Sequence, residues 1–131
     1  MTATVDGTAF TAQCVSGSFA TGSGYQFTGV ESGSATTART ISFVIRTTGG
    51  PATFGAGTDV VTGSVAIGTS LWGWAWSPTG SSSNAGTGTI VATTLSPTTG
   101  GAGTFSFTAI ATTGSATGTK MVTNGTFNVV F

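Results

Sequence analysis

The chain has 131 residues, enough for one domain around one hydrophobic core, and only 5% of them are charged. The six are Asp6, Glu31, Arg39, Arg46, Asp59 and Lys120, with a formal sum of zero. Without a basic excess the chain can neither neutralise nucleic-acid phosphates nor dock on anionic headgroups, and no apolar run reaches the ~18 residues of a membrane helix, so no transmembrane segment is expected.

No window keeps a helical period, whereas alternation with period two runs throughout. Thr2–Val5 and Thr8–Val15 are predicted strands around Asp6-Gly7, a dipeptide suited to a two-residue hairpin turn. In the second strand Phe10, Ala12 and Cys14 share a face, which predicts Cys14 as a small buried hydrophobe. Residues 16–24 read as turn-rich, followed by a strand at 25–30 and a polar loop at 31–38. Arg39–Thr47 is a clean strand with Ile41, Phe43 and Ile45 on one side. Gly49-Gly50-Pro51 ends it. A short strand at 52–54 precedes a long run from Val60 to Trp76, expected to split near Gly63 or Gly68, and Pro78–Gly86 reads as a loop. Strands at 88–95 and 103–113 flank Pro97–Gly101. The last pair, 119–123 and 126–131, is predicted as a hairpin turning at Asn124-Gly125.

Eight to ten short strands with regular turns predict a single all-β domain over 1–131. The expected architecture is an antiparallel β-sandwich, jelly-roll or Ig-like, with a small calycin-like barrel as the alternative. Disorder is the competing reading of a chain with 22 glycines and abundant Ser and Thr, but it is 38% hydrophobic and carries nine Phe and three Trp, enough apolar surface to offset ordering entropy. Threonine keeps a strand surface wettable without charge. That solution suits secreted or cell-surface proteins, and Met1 running directly into Thr2-Ala3-Thr4-Val5 reads as a mature domain carrying a start codon.

Both ends of the chain support that setting. Residues 4–12, TVDGTAFTA, and the segments GTFSFTA at 103–109 and TNGTFNV at 123–129 resemble a family of exported bacterial lipoprotein domains of unknown function. The resemblance implies an exported bacterial β-barrel or sandwich and brings no catalytic residues with it. The cysteine that anchors those domains to lipid is missing here.

Catalytic chemistry finds little to work with. The chain has no histidine, which removes Ser-His-Asp and Cys-His arrangements and the commonest transition-metal ligand. One cysteine makes neither an internal disulfide nor a thiolate zinc cage. Asp6 has a turn to stabilise, Arg39 and Arg46 are expected to pair with acids or water, and Lys120 reads as solvated. Glu31 and Asp59 could form a glycosidase-like pair only if folding joins them, and surface acids are the simpler reading. The glycine-rich segments lack the lysine and helix of a phosphate loop. No enzyme activity, metal or cofactor is expected.

Two features carry the functional expectation. Trp72, Trp74 and Trp76 lie two apart, so one strand face presents all three, with Gly73 and Ala75 on the other. A core strand is the plainer reading. The sharper one is a sugar-stacking or cavity-lining platform joined by Tyr25, with Thr and Ser hydroxyls as partners for the indole N–H groups. Phe127, Val129 and Phe131 form an apolar stripe on the last strand, able to close its own domain or to pair with a neighbour's open edge. The expected function is a non-enzymatic extracellular or cell-surface structural subunit that self-associates into a filament or layer through edge or terminal strands. The alternative is a glycan or small-ligand binding module on the tryptophan strand.

Overall fold

A computed structural model describes residues 1–47, 49–55, 60–76 and 86–131. Among them there is no helix, and strands take 72% of these described residues, which establishes the all-β class. The eleven strands are β1 (Thr2–Val5), β2 (Thr8–Thr11), β3 (Cys14–Ala20), β4 (Gly24–Glu31), β5 (Arg39–Arg46), β6 (Ala52–Gly55), β7 (Val60–Ile67), β8 (Ser70–Trp76), β9 (Thr87–Ser96), β10 (Gly100–Thr113) and β11 (Thr119–Val129). Every pairing is antiparallel, in the order β2-β1-β11-β10-β8-β7-β5-β4-β3, with β9 branching from β10 and carrying β6.

The branch sets the shape. Along one edge β10 pairs with β11 from Gly101 to Ile110. Its other edge is shared: β9 takes residues 100–108 and β8 takes 110–113. The sheet therefore forks at β10 and curls strongly into a half-barrel. Side chains from β4 and β5 meet those of β10 and β11 across the interior: Phe27 lies 4.9 Å from Phe127 and Phe43 lies 5.1 Å from Phe105, ring centre to ring centre.

Glycines make room for aromatic rings across the strands that line this interior. Register places Gly17, Phe27, Phe43, Gly63 and Trp74 in one cross-strand row. Gly63 is required there, because a Cβ on it would stand 2.9 Å from the Trp74 ring. The expected inward set Ile41, Phe43 and Ile45 is buried.

Turn chemistry explains one success and one correction. Asp6 and Gly7 both have positive φ, 48° and 80°, and join the paired residues Val5 and Thr8, as a type I′ hairpin requires. Asn124-Gly125 is no hairpin: only Asn124 has positive φ, at 51°, and β11 runs straight through. Two residues, Thr123 and Asn124, stand opposite the single Ser106 of β10, so this site is a β-bulge. With β10 on one side and β1 on the other, the strand is held extended where an isolated chain would fold back.

Three further expectations are corrected. The predicted strand over 8–15 breaks after Thr11, where the Ala12 N–H donates to Met1 O and the Gln13 N–H to Val30 O as the chain leaves β1 for β4. That handover loses the alternation phase, and Cys14 is exposed, not buried beside Phe10. Residues 14–20, most of them expected in a turn, form β3, because pairing with β4 supplies the ladder that the local composition does not advertise. The long run ending at Trp76 splits at Gly68, one of the two expected points. The expected loop at 78–86 lies, apart from Gly86, outside the described residues.

Candidate functional site

The tryptophan strand faces inward. Trp72 and Trp74 are 7% and 2% exposed, and Trp74 stacks on Phe107 at 5.4 Å and 13°. Tyr25 is fully buried against Phe19, with the rings 4.7 Å apart. The side chain of Trp76 lies outside the described residues. Neither Trp72 nor Trp74 offers an open face on which a sugar could stack. The hydroxyl partners expected for the indoles are also not used: Trp72 Nε1 donates to the Thr117 carbonyl at 3.1 Å, and Trp74 Nε1, like Tyr25 Oη, has no hydrogen-bond partner among the described residues. Burial pushes the Tyr25 phenol above its ordinary pKa.

The apolar stripe of the last strand also faces inward. Phe127 and Val129 are buried, and Phe131 packs on the core against Phe27 and Tyr25. β11 pairs with β10 from Thr119 to Val129 on one edge, and with β1 only from Val122 to Thr126 on the other.

Charge is spent on two clasps. In the first, Arg39 bonds the Glu31 carboxylate and also donates to the Ala9 carbonyl on the outer edge of β2. Glu31 in turn accepts the Thr11 N–H on that edge at 3.0 Å. The two side chains give β2 the donor and acceptor that another strand would have supplied. The Arg39 guanidinium lies 5.8 Å from the centre of the Phe10 ring. The Thr11 N–H lowers the Glu31 pKa, burial opposes it, and Arg39 lowers it further, leaving a carboxylate held below its ordinary value and poorly suited to be a general acid. Asp59, the other half of the conceivable catalytic pair, lies outside the described residues.

In the second clasp Lys120, expected to be solvated, bonds Asp6 at 2.7 Å and lies 5.0 Å from the Trp72 ring centre. Asp6 also accepts the Met121 N–H at 2.8 Å. Partial burial pulls its pKa up, but the Lys120 bond, the Met121 N–H and the Lys120 charge outweigh it and hold it low. Among the described residues no three Cys, Asp or Glu side chains gather in a way that could hold a metal.

The feature missed from sequence is the edge opposite β2. β3 pairs with β4 on one side, and among the described residues no strand pairs with it on the other. It has seven residues, no charge and no proline, and Val15 on it is 37% exposed. The alternation of Val15, Gly17 and Phe19 with Ser16 and Ser18 was the available signal.

No family model, curated protein or solved structure matches the chain. Its function has to be read from its own side chains.

Proposed function

We propose that the chain is a non-enzymatic structural subunit of an extracellular or bacterial cell-surface assembly, and that copies join edge to edge through β3. The proposed architecture is two facing layers, β6-β9-β10-β11-β1-β2 and β3-β4-β5-β7-β8, joined at β10. The observation that carries the proposal is the contrast between the two ends of the sheet: Glu31 and Arg39 bond the outer edge of β2, while uncharged β3 has no strand on its outer edge among the described residues. Strand edges left in that state add strands, and proteins that avoid it place lysine or proline there. Zero net charge removes long-range repulsion between copies. The resemblance of both chain ends to exported lipoprotein domains fits the same setting.

A two-fold antiparallel pairing of β3 centred on Gly17 sets Ser16 of one copy opposite Ser18 of the other, and Val15 opposite Phe19. Sedimentation velocity over a concentration series tests this. The wild-type protein is expected to self-associate, and Ser16→Lys with Ser18→Lys should weaken association by about tenfold or more by opposing like charges. Ser16→Lys with Ser18→Glu should restore it, because the same register then opposes unlike charges. A wild-type protein that stays monomeric at the highest attainable concentration rules the proposal out.

A further inference from the structure

The outer face of β9, β10 and β11 carries a feature that neither the core nor the β3 edge requires. Register brings Thr104 of β10 between Val91 of β9 and Thr126 of β11, and sets Ser106 beside Thr89 on one side and the Thr123–Asn124 bulge on the other. The extra residue in β11 bends that strand locally. A shallow groove of about 550 Å³ lies over these residues, and a second of about 220 Å³ shares Ser106 and Thr123 with it and reaches Met121. No charged side chain lines either groove.

The lining is chemically specific. The side chains of Thr104, Ser106, Thr123 and Asn124 make no hydrogen bond to other described residues, so hydroxyls and an amide that each donate and accept are presented together. Val91 and Met121, 38% and 56% exposed, add apolar patches among them. A charged ligand would lose hydration here and find no counter-charge. A purely apolar ligand would cover the hydroxyls without satisfying them. A neutral saccharide has what the groove lacks: a dense array of hydroxyls and apolar C–H faces on the same ring.

We infer that this groove is a binding site for a neutral oligosaccharide, laid across β9, β10 and β11 on the outside of the sheet. The inference is independent of assembly through β3. It places sugar recognition away from the tryptophan strand, whose described indoles are committed to the core.

Amide-resolved NMR titration with cellohexaose, xylohexaose, chitohexaose and maltohexaose, and with an oligogalacturonate as the acidic control, tests the inference. At least one neutral hexasaccharide should shift the amides of Thr89, Thr104, Ser106 and Thr123 in a saturable way, and the oligogalacturonate should not. Thr104→Val with Ser106→Ala keeps strand-compatible shapes on an exposed face, so the thermal melt should stay in place while affinity falls about tenfold. Four outcomes overturn the inference: no shift with any neutral hexasaccharide, shifts centred on the β8 amides instead, preference for the acidic sugar, or unchanged affinity in the double variant.

Discussion

β2 and β3 end the same sheet path, and they are finished in opposite ways. β2 is four residues long, and its outward carbonyl and N–H are taken up by Arg39 and Glu31. β3 is seven residues long, and among the described residues no strand pairs with its outer edge. Three charged residues are all the chain has of either sign, and one of each goes to the shorter edge. Where charge is this scarce, the proposed assembly through β3 rests on its being placed at the other edge.

The contrast can be broken outright by removing the seal. Arg39→Ala leaves the Glu31 carboxylate partly buried without its cation, uncovers the Ala9 carbonyl and strips the cation from the Phe10 face. Unfolding free energy should drop by ~2–3 kcal/mol in denaturant melts. The variant should also aggregate through β2, and light scattering would show this as growth that the Ser16→Lys and Ser18→Lys changes do not suppress. If the melt stays within ~0.5 kcal/mol of wild type, the clasp is ornamental and the two edges are alike.

A gentler disturbance is Asp6→Ala, which frees the β1–β2 turn from Met121 and Lys120. The expected cost is ~1 kcal/mol, because the pair is partly exposed and water screens much of its attraction. Hydrogen exchange should quicken at β1 and β2 and not at β3 or β4. Uniform quickening would show that the clasp supports the whole domain and not the sealed side.

Acid gives the smallest effect and sharpens the same distinction. Both clasp carboxylates have folded pKa values below their unfolded ones, so their contribution is complete above the ordinary carboxylate range of about 4 and is lost as pH falls through the lowered values. The melting temperature should be flat from neutral pH to about 5 and then decline. In the Glu31→Gln variant that decline should be shallower. A melting temperature that rises on acidification would contradict the sign of both shifts.

Much of the framework is legible in the sequence, and two similar dipeptides show where legibility stops. Asp6-Gly7 and Asn124-Gly125 carry the same local signal, yet the first turns and the second bulges, because only the second is gripped by strands on both sides. The Ile41, Phe43 and Ile45 alternation reports its burial faithfully, since β5 keeps one phase from end to end. Cys14 misleads because the phase resets at Ala12 and Gln13, where the chain changes partners. Tryptophans spaced by two announce a shared face but not which way it points; the space left by Gly63 and the Phe107 ring turn it inward. Lys120 reads as solvated because its partner is 114 positions away. The outer groove is invisible for the same reason, as its hydroxyls come from three strands that only register brings together.

The fork at β10 also imposes an order of events. β3, β4 and β5, and then β7 and β8, are neighbours in sequence as well as in space, so most of that flank can pair locally, with only β6 intervening between β5 and β7. The other flank interleaves the first strands made with the last, and the β1–β2 hairpin finds its berth only once β11 has been synthesised. Until then the early hairpin lacks the strand it pairs with, and that pairing closes the longest loop in the sheet.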